Sequence, residues 1–229
     1  MLIILLPGMD GTGHLFDAFL KCLSTGNPTK VVSYPDQAYL SYEQLEQLVI
    51  RELPVSGKYI IIAESFSGPI ALRLANRAQG DLVAIVLVSS FAYRPLGWKG
   101  SLLARLPLSV ILRMPFPDFV LRTFLLGGSA SADDLSSTRR VIDHVRPQVL
   151  AGRLKEALTS DYGKHQIHAT VRVVAVFAEY DRLLGRRSRQ SVAEVCPTAE
   201  IEVVRAPHLA LQVAPMAVLS ALQKLGVLT

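Results

Sequence analysis

Short, predominantly apolar runs recur along the chain at 2–6 (LIILL), 30–34 (KVVSY), 58–63 (KYIIIA), 82–90 (LVAIVLVSS), 171–178 (VRVVAVFA) and 199–205 (AEIEVVR). Each has the length of a strand and is rich in β-branched residues, the pattern of strands buried on both faces of a parallel sheet. Segments of helical period lie between most of them, at roughly 14–23, 41–53, 66–79, 186–195 and 209–225. This alternation predicts an α/β fold, a mostly parallel, twisted sheet with helices on both faces.

One stretch breaks the rhythm. From Arg94 to about Thr170 no strand pattern occurs, and RPLG, RMPFPD, LLGGSAS and VRP punctuate segments that read as helices. A structureless loop of that length does not suit a compact domain. The reading is therefore one domain over 1–229 with a helical insertion over 94–170 that leaves the carboxyl end of the 82–90 strand. Ligands of open α/β sheets bind at the carboxyl ends of the strands, so the insertion is expected to cap the site.

Composition narrows the function classes. With 229 residues, 50% hydrophobic and 19% charged, the chain is long enough to bury one core. Cys22 and Cys196 are far apart and form neither a disulfide framework nor a zinc pattern, so no metal is expected. The opening MLIILLPGMDG lacks a basic leader region and a cleavage site and is too short to span a bilayer, which makes a cytoplasmic protein the expectation. The net charge is +5, but apart from RRSR at 186–189 and the pair Arg139 and Arg140 the arginines are scattered. No nucleic-acid partner is expected from such a pattern.

A serine hydroxyl becomes a nucleophile only when a base takes its proton and donors await the oxyanion. Residues 63–68, AESFSG, follow a strand and open a helix as small-x-Ser-x-small, with Ala63 and Ser67 where G-x-S-x-G has its glycines. Ser65 is the candidate, and Ser67 with Gly68 makes room for it. Taken alone, the motif fits equally a strand-to-helix bend without chemistry. Glu64 is expected to point away from Ser65 into a local hydrogen bond or salt bridge; tuning of the site is the other reading.

A carboxylate and a histidine should follow in that order, each after a strand. Asp181 in AEYDRLL is favoured over Glu179, which lies closer to the strand end with less reach, and taken alone Asp181 also suits a turn or helix cap. His208 in APH opens the last helix; alone, it suits a surface or capping role. All three loops leave the same edge of the sheet. His14, His144, His165 and His168 follow no core strand and are expected to be structural. For the oxyanion, Phe66 supplies one backbone N–H and the PGMDGTG turn the other, with Met9 preferred. Gly8, Asp10 and Gly11 are expected beside the substrate, because glycine lets backbone approach it. The glycine-rich turn competes as a phosphate site, but it has neither G-x-G-x-x-G spacing nor G-K-[ST].

Together LPGMDGTGHLF, IIAESFSGPIAL, AEYDRLL and APHLALQVAP resemble the oxyanion loop, nucleophile elbow, acid loop and histidine loop of the α/β-hydrolase superfamily, over almost the whole chain. The resemblance implies a Ser65, Asp181, His208 triad with Met9 and Phe66 as oxyanion donors, and a cofactor-free serine hydrolase acting on a carboxylic ester or thioester. Two departures stand out. Pro7-Gly8 replaces the usual His-Gly, and the elbow lacks both glycines. The chain also starts at what would be the family's third strand, so a small sheet without the amino-terminal hairpin is expected.

The insertion bears on the substrate. Its 98–128 segment is rich in Leu, Val, Ile and Phe and carries Arg105, Arg113 and Arg122. An apolar underside would fit a small-molecule acyl substrate, or would simply pack the insertion onto the core. The basic flanks also suit peripheral contact with an anionic membrane, while the arginines exclude a span. An acyltransferase, a lyase or a non-catalytic binding protein on the same fold remain alternatives.

Overall fold

The computed structural model describes residues 1–23, 26–77, 81–164 and 171–228. The apolar runs become β1 (Leu2–Leu6), β2 (Thr29–Val31), β3 (Lys58–Glu64), β4 (Asp81–Val88), β5 (Arg172–Ala178) and β6 (Glu200–Val204). All pair in parallel, in the order β2-β1-β3-β4-β5-β6. Because successive side chains of a strand point to opposite faces, each strand feeds two cores. Ile4, Leu6, Ile61, Ala63, Ile85, Leu87 and Ala175 bury one face, and Ile3, Leu5, Ile60, Ile62, Val86, Val88 and Val174 the other.

Helices cover both faces. On the first lie α2 (Tyr42–Glu52) and α3 (Gly68–Leu74), and on the second α1 (Asp17–Cys22), reached through a 3-10 turn at His14–Phe16. A capping box fixes the start of α2, the Ser41 side chain accepting from the Gln44 amide while the Gln44 side chain accepts from that of Ser41. Between β4 and β5 come α4 (Trp98–Leu103), α5 (Leu108–Ile111), α6 (Asp118–Leu121), a π-helical turn at Arg122–Leu126, α7 (Ala132–His144) and α8 (Pro147–Thr159), and no strand among the described residues. The carboxyl-terminal part adds α9 (Arg186–Val195), α10 (Ala210–Val213) and α11 (Pro215–Lys224).

Four elements differ from the sequence reading. β2 ends at Val31 because the chain peels away toward β1's loop, the Tyr34 N–H donating to the Gly11 carbonyl at 2.7 Å. β4 ends at Val88 because Ser89 takes φ 44°, a left-handed conformation that breaks the ladder. The single helix expected over 209–225 is two, since Pro215 has no N–H to continue α10 and instead starts α11. The helix expected over 66–79 is α3 behind a 3-10 turn at Ser65–Ser67; residues 78–80 lie outside the described residues, as do 165–170 of the expected insertion.

The strand order decides where a site can lie. From β1 the chain moves outward to β2, then returns across to β3 on β1's other side, so the sheet's winding reverses between β1 and β3. At such a reversal the connections diverge and leave a crevice at the carboxyl ends of the two strands. The turn after β1 and the bend after β3 flank that crevice. The insertion packs over them: Leu121, Leu126 and Ala130 bury against Leu15 and Leu209, and Val145, Val149 and Leu150 form a cluster against which Met9 and Leu112 pack.

The bend itself is tightly confined. A methyl group added at Gly68 would sit 2.0 Å from Ser90 Oγ and 2.5 Å from the Phe91 carbonyl, so only glycine lets α3 begin this close to the loop after β4. Gly68→Ala is expected to lower stability by about 2 kcal/mol, read as a lower midpoint in urea unfolding with unchanged slope.

Candidate active site

Ser65 stands at the end of β3 with φ 46°, one of three non-glycine residues of positive φ among the described residues. This is the sharp strand-to-helix turn that projects a side chain away from the sheet. Small side chains make it possible: Ala63 and Ser67 are both fully buried. Ser90 Oγ donates to the Ser65 carbonyl at 2.5 Å, holding the turned peptide from the neighbouring strand's loop. Ser67 does not face the same way as Ser65. Its hydroxyl donates to the Pro7 carbonyl and accepts from the Tyr34 phenol at 2.7 Å, which ties the bend to the turn after β1.

The acid and the histidine meet Ser65 from two other strands. His208 Nε2 lies 3.0 Å from Ser65 Oγ, and His208 Nδ1 lies 2.8 Å from Asp181 Oδ2. The side chains of His208 and Asp181 are 3% and 6% exposed, so water competes little for either contact. Asp181 divides its carboxylate. Oδ1 accepts the amides of Leu183 at 2.9 Å and Leu184 at 2.8 Å, the turn-capping role of its loop, while Oδ2 is left for the imidazole. Glu179 instead lies at the surface, paired with Arg205 at 3.7 Å. The histidine loop is fixed from the insertion, the Leu209 amide donating to the Leu125 carbonyl at 2.9 Å.

The turn after β1 closes with the Gly11 N–H donating to the Gly8 carbonyl at 3.1 Å. Met9 and Asp10 are its central residues, and the turn's own bond does not use the Met9 N–H. Phe66 lies in the first turn of its helix, where backbone N–H groups have no helical acceptor. Gly8 is buried between Asp10 Oδ1 and Glu64 Oε2. Asp10 itself is buried, its Oδ2 accepting from the amide and hydroxyl of Thr12 at 2.9 and 2.7 Å. At Gly11, with φ +74°, the space a side chain would need is filled by the Arg153 guanidinium, 2.4 Å from an added carbon. Glycine is required there by an arginine of the protein's own.

That arginine was not singled out from the sequence. Arg153 projects from α8 and is 1% exposed. It donates to the carbonyls of Met9 at 2.9 Å, Asp10 at 2.7 Å and Pro35 at 2.8 Å, and lies over the Tyr34 ring. The signal was present: Arg153 falls four residues after Val149 and four before Ala157, a cation on the buried stripe of an amphipathic helix. Gln212 and Ser90, polar residues in apolar contexts, gave no comparable mark.

No protein-family model matches the sequence, and a sequence search of curated proteins finds no match. Solved structures do match the fold. A hydrolase from Oleispira antarctica is 15% identical and superposes with a TM-score of 0.79, covering 98% of this chain and 90% of that one. A thermophilic esterase from Thermogutta terrifontis is 17% identical with a TM-score of 0.79, covering 99% and 89%. The enol-lactonase from Burkholderia xenovorans LB400 is 15% identical with a TM-score of 0.69, covering 99% and 89%. The chain has the α/β-hydrolase fold.

Within this α/β-hydrolase fold Glu64 is buried directly before Ser65. It makes the local hydrogen bond expected of it, accepting from Gln212 Nε2 at 3.3 Å on α10, and Oε1 has no partner. Burial, then the Asp10 charge, push its carboxyl up to about 8, so the protonated acid is the stable form at neutral pH. A cleft of about 560 Å³ lies beside the site, lined by residues that include Arg122, Thr123, Gly127, Asp181, Arg182 and Pro207; Ser65 and His208 do not line it. Of the other histidines, His14 is exposed at a 3-10 turn and His144 pairs with Asp36 at 2.9 Å. His165 and His168 lie outside the described residues.

Two measurements check these placements. Unfolded Glu64 ionises near 4.5 and folded Glu64 near 8, so stability falls as pH rises between those values and levels off above them. Glu64→Gln should abolish that fall, roughly 4 kcal/mol between about pH 5 and pH 9, as seen by urea unfolding at the two values. Arg153→Met should cost about 3 kcal/mol in the same assay, because three backbone carbonyls lose their buried donor.

Proposed function

We propose that the protein is a serine hydrolase that cleaves a carboxylic ester or thioester of an apolar acyl substrate through an acyl-enzyme. The observation that carries this reading is the unbroken row from Asp181 Oδ2 through both ring nitrogens of His208 to Ser65 Oγ, with contacts of 2.8 and 3.0 Å, ending on a serine of positive φ. Likeness to hydrolases and an esterase in fold is consistent with it.

In this reading Ser65 Oγ attacks the acyl carbon as its proton passes to His208 Nε2. Asp181 accepts the Nδ1–H, selects the tautomer that leaves Nε2 free, and stabilises the imidazolium. The negative oxygen is held by the N–H groups of Met9 and Phe66. His208 then returns the proton to the leaving alcohol or thiol. A water, deprotonated by the same imidazole, releases the acid and restores Ser65. Arg153 acts as a positioning residue for Met9, since its guanidinium holds the Met9 and Asp10 carbonyls and so the orientation of the turn. The helical insertion serves as a cap, and the apolar character proposed for the acyl group follows from the Leu and Val side chains it brings against Met9.

Turnover of p-nitrophenyl acetate and butyrate tests the reading. Ser65→Ala and His208→Ala should each lower kcat by roughly 10⁴- to 10⁶-fold, and Asp181→Asn by roughly 10⁴-fold. A fluorophosphonate should label wild type at Ser65 and leave Ser65→Ala unlabelled. Equal turnover by wild type and Ser65→Ala overturns it.

A further inference from the structure

The outward sides of α4, α5 and α6 carry an unusual set of side chains. Trp98 is 73% exposed, Met114 69% and Phe119 69%, and Leu102, Leu106, Val110 and Ile111 are exposed with them. The inward sides are occupied already. Gly100 of α4 lies against the Leu158 carbonyl of α8, and Leu108 and Leu121 are buried. On α4, Trp98 and Leu102 are one turn apart and share a face. On α5 and just beyond it, Val110, Ile111 and Met114 have the same spacing. Scattered single apolar residues are ordinary on a protein surface, whereas an apolar strip along three consecutive short helices marks a contact surface.

The charges on this strip before α6 have one sign. Between 95 and 117 the chain holds Lys99, Arg105 and Arg113 and no Asp or Glu, which is three of the net +5. All three cations are exposed. Lys99 lies over the Trp98 ring, so cation and aromatic share one spot. The one carboxylate of the strip, Asp118 at the start of α6, is engaged by Arg139 of α7.

We propose that this face of α4–α6 docks on an anionic lipid bilayer, with Trp98, Leu102, Met114 and Phe119 entering the headgroup boundary and Lys99, Arg105 and Arg113 meeting lipid phosphates. Apolar residues set among cations, with the single carboxylate Asp118 already engaged by Arg139, are the composition that lies in a membrane interface. Charge argues against a second copy of this chain. A two-fold contact would set the same patch against itself and bring three cations against three, while the one acid of the strip, Asp118, is already engaged by Arg139. Insertion is shallow: among the described residues no helix is long and apolar enough to cross a membrane. Leu112, at the end of α5, packs against the same Val145, Val149 and Leu150 cluster as Met9, so the docked helix shares a hydrophobic cluster with the turn after β1.

Trp98 is the only tryptophan in the chain, so it reports on its own surroundings. The full-length protein is mixed with vesicles of phosphatidylcholine alone and with vesicles of equimolar phosphatidylcholine and phosphatidylglycerol. The expected result is a blue shift of Trp98 emission, quenching by brominated acyl chains, and co-sedimentation, all with the anionic vesicles and all weakening with salt. Replacing Lys99, Arg105 and Arg113 together by Ser should lower partitioning about a hundredfold. Leu102→Ser with Met114→Ser should lower it while leaving the charges in place. Since every substituted residue is exposed, circular dichroism should be unchanged. Emission and sedimentation identical with and without anionic vesicles overturn the proposal. So does a blue shift that grows with protein concentration in the absence of lipid, which assigns the face to self-association. No substrate is used, so the outcome is independent of whether Ser65 is a nucleophile.

Discussion

The left-handed backbone at Ser65 is the constraint around which the rest of the molecule is arranged. A β-carbon at positive φ crowds its own carbonyl, so the conformation persists only where the surroundings over-determine it. Here they do so from three sides. Gly68 lets α3 begin against the loop after β4, Ser90 holds the Ser65 carbonyl, and Ser67 binds the Pro7 carbonyl across the crevice. These contacts hold the strained residue, and they also hold the turn after β1 in register with it. Serine and turn are therefore positioned by the same packing, at the one place where the sheet reverses its direction of winding.

Polar groups beneath that crevice are costly to bury, and Arg153 and Glu64 meet that cost in different ways. The Arg153 charge is distributed over three carbonyls and an aromatic face, and Gly11 is the space that lets it in. Burial pulls its guanidinium below its ordinary value, though the nearby Asp10 works against this. Glu64 follows the other course. With only a glutamine to bond it and Asp10 nearby, the acid keeps its proton. A neutral acid beneath the turn after β1 adds no negative charge where, in the proposed reaction, one would oppose a developing oxyanion.

The helical insertion is two-sided. Its inner residues, Leu112, Val149 and Leu126, bury against the turn after β1 and the histidine loop. Its outer residues on α4–α6 remain uncovered and basic. These short helices have few internal hydrogen bonds, so their order depends on the contacts of the inner face with α8 and with the loops of the sheet.

The strand runs, the α/β class, the insertion and the order of serine, aspartate and histidine were legible in the sequence, because they depend on local periodicity and on where each residue falls after a strand. The greater reach of Asp181 than of Glu179 was legible for the same reason, since reach beyond a strand end is a local property; Asp181 lies 2.8 Å from His208 Nδ1 and Glu179 beside Arg205. What only the tertiary structure decided is what those positions meet. Gly11 faces Arg153 and Asp10 caps Thr12, because the approach of α8, more than a hundred residues away in the chain, determines which side of the turn is free. The expected apolar underside of the insertion has an outer counterpart, because helices of four to six residues cannot turn every large side chain inward. Periodicity records which residues prefer burial, but long-range packing alone determines which of them obtain it.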